Sequence, residues 1–159
     1  MISHDFLTAF QANISWVAHM DASDRKRWFR MALLLGAVYF VFGVAFAAFA
    51  SWSASNSMRV TWNRLGFLTS AVAFAAHIGY EHFRLRNSPL ITATHVSMAV
   101  ALGAFALAVS ANVRGYRVGA SNRRLLAFAL VAWPAITAVP AFVVALVAAA
   151  GLARRRRST

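Results

Sequence analysis

Four long apolar stretches govern what this chain can fold into. They run over 31–52, 65–83, 90–113 and 125–153. Each approaches or exceeds the roughly 20 helical residues needed to cross a bilayer core about 30 Å thick. Of the 159 residues, 60% are hydrophobic and only 13% are charged, against roughly 45–50% and about 25% in soluble domains. A water-soluble fold of this size has no interior large enough to hide that share, so the expected solvent is lipid. Within lipid every backbone N–H and C=O must be bonded internally, which selects helices over isolated strands.

The connections are short and polar: Ser53–Arg64, Arg84–Pro89 and Arg114–Arg124. Short links force consecutive spans to run antiparallel, so the sequence predicts an all-α, integral membrane, up-down four-helix bundle. Its organisation is read as a cytoplasmic segment 1–30, a four-span bundle 31–153 and a basic cytoplasmic tail 154–159. Arg25, Lys26, Arg27, Arg30, Arg84, Arg86 and Arg154 to Arg157 give ten cations at one end of the bundle. Arg59, Arg64, Arg114, Arg117, Arg123 and Arg124 give six at the other. The positive-inside rule then places both termini in the cytoplasm. Fifteen of the 16 basic residues are Arg, the bias of a GC-rich bacterial genome, and the expected location is the inner cell membrane.

The first thirty residues lack the form of a cleavable signal, because their basic cluster lies far from Met1 and the following span is too long. Phe6, Phe10, Ile14 and Val17 recur at helical spacing among polar residues. That pattern predicts an amphipathic helix lying at the interface or docking on another protein. The adjacent run from Asp24 to Arg30 adds Trp28 as an interface anchor and several cations for lipid phosphates.

Inside lipid, polar and small residues mark the faces that turn inward. In the third span Thr92, His95, Ala99, Gly103, Ala106 and Ser110 step by three or four and form one stripe. Gly36 and Gly43 share a face of the first span. In the second span Ser70, Ala73, His77 and Glu81 fall together, with His77 and Glu81 an i, i+4 pair. His82 lies about 100° further round, toward the headgroups or another helix.

Depth can be counted from the turn at Asn87. Glu81 is six residues before it, His77 ten before it and His95 eight after it. At roughly 1.5 Å per residue, antiparallel packing gathers Glu81, His77 and His95 into one cluster. An ionisable group in a span is a functional-site hypothesis by default, although Glu81 is also near enough to the end to pair with Arg84.

Three uses of the cluster follow. A Glu–His hydrogen bond can clamp two helices. His77 and His95 can be axial ligands to haem b held between the helices, with Glu81 tuning them. His77, His95 and Glu81 can form a divalent-metal or proton site.

Pro134 and Pro140 bend the fourth span. The Arg114–Arg124 loop offers a basic surface to lipid phosphates or an acidic partner. Lys26 is the single lysine and lies outside the spans, which excludes a retinal Schiff base. The chain has no Cys, and no Walker loop, HExxH or Ser-His-Asp order is present. No catalytic residue set is therefore read from the sequence, and the high apolar content argues against nucleic acid as the basic chain's partner.

The resulting expectation is a structural or accessory subunit of a larger membrane assembly. It would meet a protein partner or a second copy through the N-terminal helix and the small-residue faces. The alternatives are a haem- or metal-binding electron-transfer module on His77 and His95, and a small oligomeric channel or exchanger titrating Glu81.

Overall fold

A computed structural model describes residues 22–118 and 122–157. The amphipathic segment carrying Phe6, Phe10, Ile14 and Val17 lies outside the described residues. The described chain is helical throughout: α1 is Ala22–Ser51, α2 Asn56–Gly79, α3 Pro89–Arg117 and α4 Arg123–Arg157, with a π-helical turn at Tyr80–Arg84. The chain divides into two compact units, Met1–Met31 and Ala32–Thr159. The described part of the first unit is the opening of α1, and the packing below belongs to the second.

Local chemistry sets the helix ends. Ser55 sits in extended backbone ahead of α2 and accepts a hydrogen bond from the Met58 N–H at 3.2 Å. Ser88 does the same for Ile91 ahead of α3, with Pro89 in the first turn, where its missing N–H costs nothing. At the end of α1 the hydroxyls of Ser51 and Ser53 bond to the carbonyls of Ala48 and Phe49, two acceptors in the last turns of the helix.

Three helices are long and apolar enough to cross a membrane among the described residues: Trp28–Ser51, Pro89–Arg117 and Arg124–Arg155. The second apolar stretch does not stand as a fourth by that measure. Its helix starts nine residues before Leu65, at Asn56, and this first part carries Arg59, Asn63 and Arg64. At the far end Glu81, His82 and Arg84 close the apolar run. What remains between is short.

α3 is the central helix. About a third of its most apolar window is buried inside the chain (33%), against 11% for the windows of α1 and α4. Its Ala93 and Val96 meet Ala145 and Ala149 of α4 and Ile78 of α2 in one core, flanked by Phe74, Phe142, Leu146 and Leu152. Toward the other end of this pair, the buried Asn112 amide donates to its own helix at Ala108 O (2.9 Å) and to Leu126 O of α4 (2.7 Å). Nothing in the small-residue stripe pointed to Asn112.

On its other side α3 receives α1 through glycine. A methyl group on Gly103 would lie 2.8 Å from Tyr39 Cβ and 3.0 Å from the Gly36 carbonyl oxygen. One on Gly36 would lie 2.9 Å from Leu102 Cβ. Two backbones at van der Waals distance replace the hydrophobic drive that lipid does not supply. α1 also meets α2, where Phe46 lies over Gly66 and the Phe49 and Trp62 rings stack with centroids 4.9 Å apart.

α4 runs unbroken through Pro134 and Pro140. The Thr137 hydroxyl bonds to the carbonyls of Trp133 and Pro134. It does not reach the carbonyls of Leu130 and Ile136, which the two prolines deprive of their usual donors.

Large apolar side chains remain exposed along the four helices, among them Leu34, Val41, Phe67, Phe105, Val131 and Val147. In water such surfaces mark association or aggregation, whereas in lipid they are the solvated face.

These contacts predict that Gly103→Ala lowers stability by about 1–3 kcal/mol, as overpacking does in a tight interior. Gly151→Ala is the control, because nothing lies within 4 Å of its added methyl. Thermal unfolding in mild detergent distinguishes the two, and equal melting temperatures would contradict the α1–α3 contact.

Candidate functional site

Glu81 lies in the π-helical turn that ends α2, and its side chain is 3% exposed. Here the backbone ladder widens. Leu85 N–H bonds to Tyr80 O, five residues back, and Asn87 N–H bonds to Glu81 O, six residues back. Arg86 takes a left-handed backbone (φ 54°) to make that exit, a conformation that costs an L-residue about 1–2 kcal/mol. The wide turn also lets the Asn87 side-chain amide reach over and donate to Glu81 Oε2. Asn87 therefore binds Glu81 twice, once through backbone and once through side chain.

α3 supplies the second partner. His95 Nδ1 lies 3.1 Å from Oε2 and 3.2 Å from Oε1 of Glu81. An ionised carboxylate can only accept, so Nδ1 must carry the proton in this contact. His77, one turn before Glu81 on α2, brings Nε2 to 3.8 Å of Oε1, an ion-pair distance but too long for a hydrogen bond. The three residues that antiparallel depth predicts to meet do meet. Arg84 is exposed and makes no ion pair with Glu81.

Burying a carboxylate carries a desolvation cost of several kcal/mol. Hydrogen bonds to a charged acceptor return about 1.5–3 kcal/mol each. Asn87 and His95 supply two such bonds, and His77 Nε2 stands 3.8 Å from the carboxylate. The arrangement ties the end of α2, the turn that follows and α3 to a single side chain.

Around this knot lie polar atoms without protein partners. His77 Nδ1, both ring nitrogens of His82 and Thr92 Oγ1 are buried and make no hydrogen bond. His82 is 5% exposed, so of the two directions open to it the structure takes the one toward its neighbours, not the headgroups. Its ring stands edge-on to Phe83, centroids 5.0 Å apart. Thr92 is fully buried one turn before His95 on α3.

The same geometry bears on cofactors. His95 turns Nδ1 and His77 turns Nε2 toward Glu81. Among the described residues no group of three or more His, Cys, Asp or Glu side chains is arranged to hold a metal ion.

Sequence reasoning missed two contributors. In the sequence Asn87 reads as a polar turn residue, and Asn112 as a polar residue at the end of an apolar run. Both are amides at the ends of apolar runs, a position where solvation is the ordinary reading and only a structure reveals a buried partner.

We expect Glu81→Ala to cost about 3 kcal/mol, because it leaves the half-buried His95 and Asn87 facing a void. Asn87→Ala removes one charge-assisted bond and should cost about 1.5–3 kcal/mol. Denaturant titration of the detergent-solubilised protein reads both. An Asn87→Ala variant as stable as the parent would contradict the double contact.

Comparison of the chain with protein-family models, curated proteins and solved structures returns no match in any of the three.

Proposed function

We propose that the chain is a multi-pass membrane protein whose four helices run up and down, and that it serves as a structural or accessory subunit of a larger membrane assembly. In this reading α2 completes the bundle as a fourth, shorter crossing, and the Glu81 end faces the cytoplasm together with both termini. One observation carries the proposal: the buried Glu81 carboxylate is engaged by Asn87, His95 and His77 of the same chain. A carboxylate surrounded in this way holds helices together. The exposed apolar faces of α1 and α4 are then available to lipid and to neighbouring subunits, and the segment ahead of α1 offers a further docking element.

A second reading, a small oligomeric channel or exchanger in which Glu81 titrates, draws on a different observation. The unpartnered His77 Nδ1, His82 and Thr92 Oγ1 are donors or acceptors that water or an ion could use.

Purification from the native membrane in mild detergent, with gel filtration monitored through the visible range, tests the proposal. The expected result is co-elution with a larger species at a defined stoichiometry and no haem band. A protein that elutes alone and moves protons in liposomes, with the movement lost in Glu81→Gln, would overturn the accessory role in favour of the exchanger.

A further inference from the structure

The end of the second unit opposite Glu81 carries positive charge with no acid to balance it. Segments 52–64 and 110–126 contain Arg59, Arg64, Arg114, Arg117, Arg123 and Arg124, and neither contains an Asp or Glu. In the proposed orientation this is the non-cytoplasmic end, where the positive-inside tendency runs against arginine. Charge kept against that tendency calls for a use.

Two open, mainly apolar depressions lie at this end. One, about 470 Å³, lies on α2 and is lined by Val60, Asn63, Arg64, Phe67 and Leu68. The other, about 400 Å³, lies between α1 and α3 and includes Val44, Ala47, Leu107, Ala111, Ser110 and Arg114. Each is bordered by one arginine, with Asn63 in the first and Ser110 in the second as further polar lining residues.

Their depths agree. Arg64 stands 17 residues before Glu81 on α2, and Arg114 stands 19 residues after His95 on α3. Glu81 and His95 touch at 3.1 Å. At roughly 1.5 Å per residue, the two arginines come to the same level within about 3 Å.

We infer that these two surfaces are binding sites for anionic phospholipid, with an acyl chain along the apolar residues of each and the headgroup phosphate on Arg64 or Arg114. An acidic protein segment would satisfy the guanidinium but would set polar backbone against Val60, Phe67, Leu68, Val44 and Leu107. A lipid satisfies both, because its charge and its hydrocarbon are separated along one axis as the arginine and the apolar residues are. The inference rests on the membrane reading, and does not depend on the accessory role.

The test is native mass spectrometry of the full chain released from detergent. The protein is first incubated with equal amounts of phosphatidylglycerol and phosphatidylcholine bearing the same acyl chains. Preferential retention of phosphatidylglycerol is expected. Arg64→Gln and Arg114→Gln should each weaken binding at the affected surface about fivefold, the factor that one basic side chain near an anionic surface supplies. Ala111→Phe, which fills the second depression and keeps Arg114, should abolish retention there. Arg117→Gln, outside the lining of either depression, should leave it unchanged.

Equal retention of the two lipids, or an unaltered preference in both arginine variants, would overturn the proposal. So would displacement of phosphatidylglycerol by glycerol phosphate with Ala111→Phe inert, which would mark a site for free phosphate. A chain that stays monodisperse without detergent would instead remove the membrane reading itself.

Discussion

A carboxylate withdrawn from water is the costliest group in this structure, and the fold around it follows from how that cost is met. Glu81 needs donors from more than one direction, because the nearest candidate on its own helix, His77, stops at 3.8 Å. Asn87 reaches it only because the backbone widens into a π turn and leaves through a left-handed Arg86. His95 reaches it only if α3 packs antiparallel at one register. A shift of α3 by a single turn, about 5.4 Å, would leave the carboxylate facing Thr92 or Ala99 in place of an imidazole. The ion–dipole knot at one end and the Asn112–Leu126 bond toward the other thus fix α3 against two neighbours, while the apolar core and the Gly36–Gly103 contact supply the area between.

Much of this was legible in the sequence for a geometrical reason. An α-helix has a fixed rise and turn, so counting residues from Asn87 places His95 between Glu81 and His77 in depth without coordinates. The stripe over Ala99 and Gly103 likewise marks where another helix can come close, and α1 takes that place with Gly36. The helical class follows from the apolar runs and the bilayer's demand for internally bonded backbone.

Other parts were hidden because they depend on tertiary partners or on small backbone adjustments. The apolar run beginning at Leu65 measures lipid solubility, whereas the helix begins where Ser55 caps it, ahead of Arg59 and Arg64. A π turn differs from an α turn by one residue of slack and has no compositional mark here. Whether His82 faces the headgroups or the interior depends on what packs over it, which periodicity on a single helix does not specify. The same holds for Asn112, whose partner is a backbone carbonyl and leaves no trace in side-chain pattern. α4 stays one helix through Pro134 and Pro140, since proline in a membrane helix can bend a span without ending it.

The central claim is that Glu81 and His95 act as one unit joining α2 to α3. A double-mutant cycle with Glu81→Gln and His95→Ala, followed by unfolding in mild detergent, measures that union directly. Contact residues of this kind couple by about 0.5–3 kcal/mol, and a charge-assisted pair is expected in the upper half of that range. Additivity of the two substitutions within about 0.5 kcal/mol would mean that the carboxylate and the imidazole are independent, and would contradict the account.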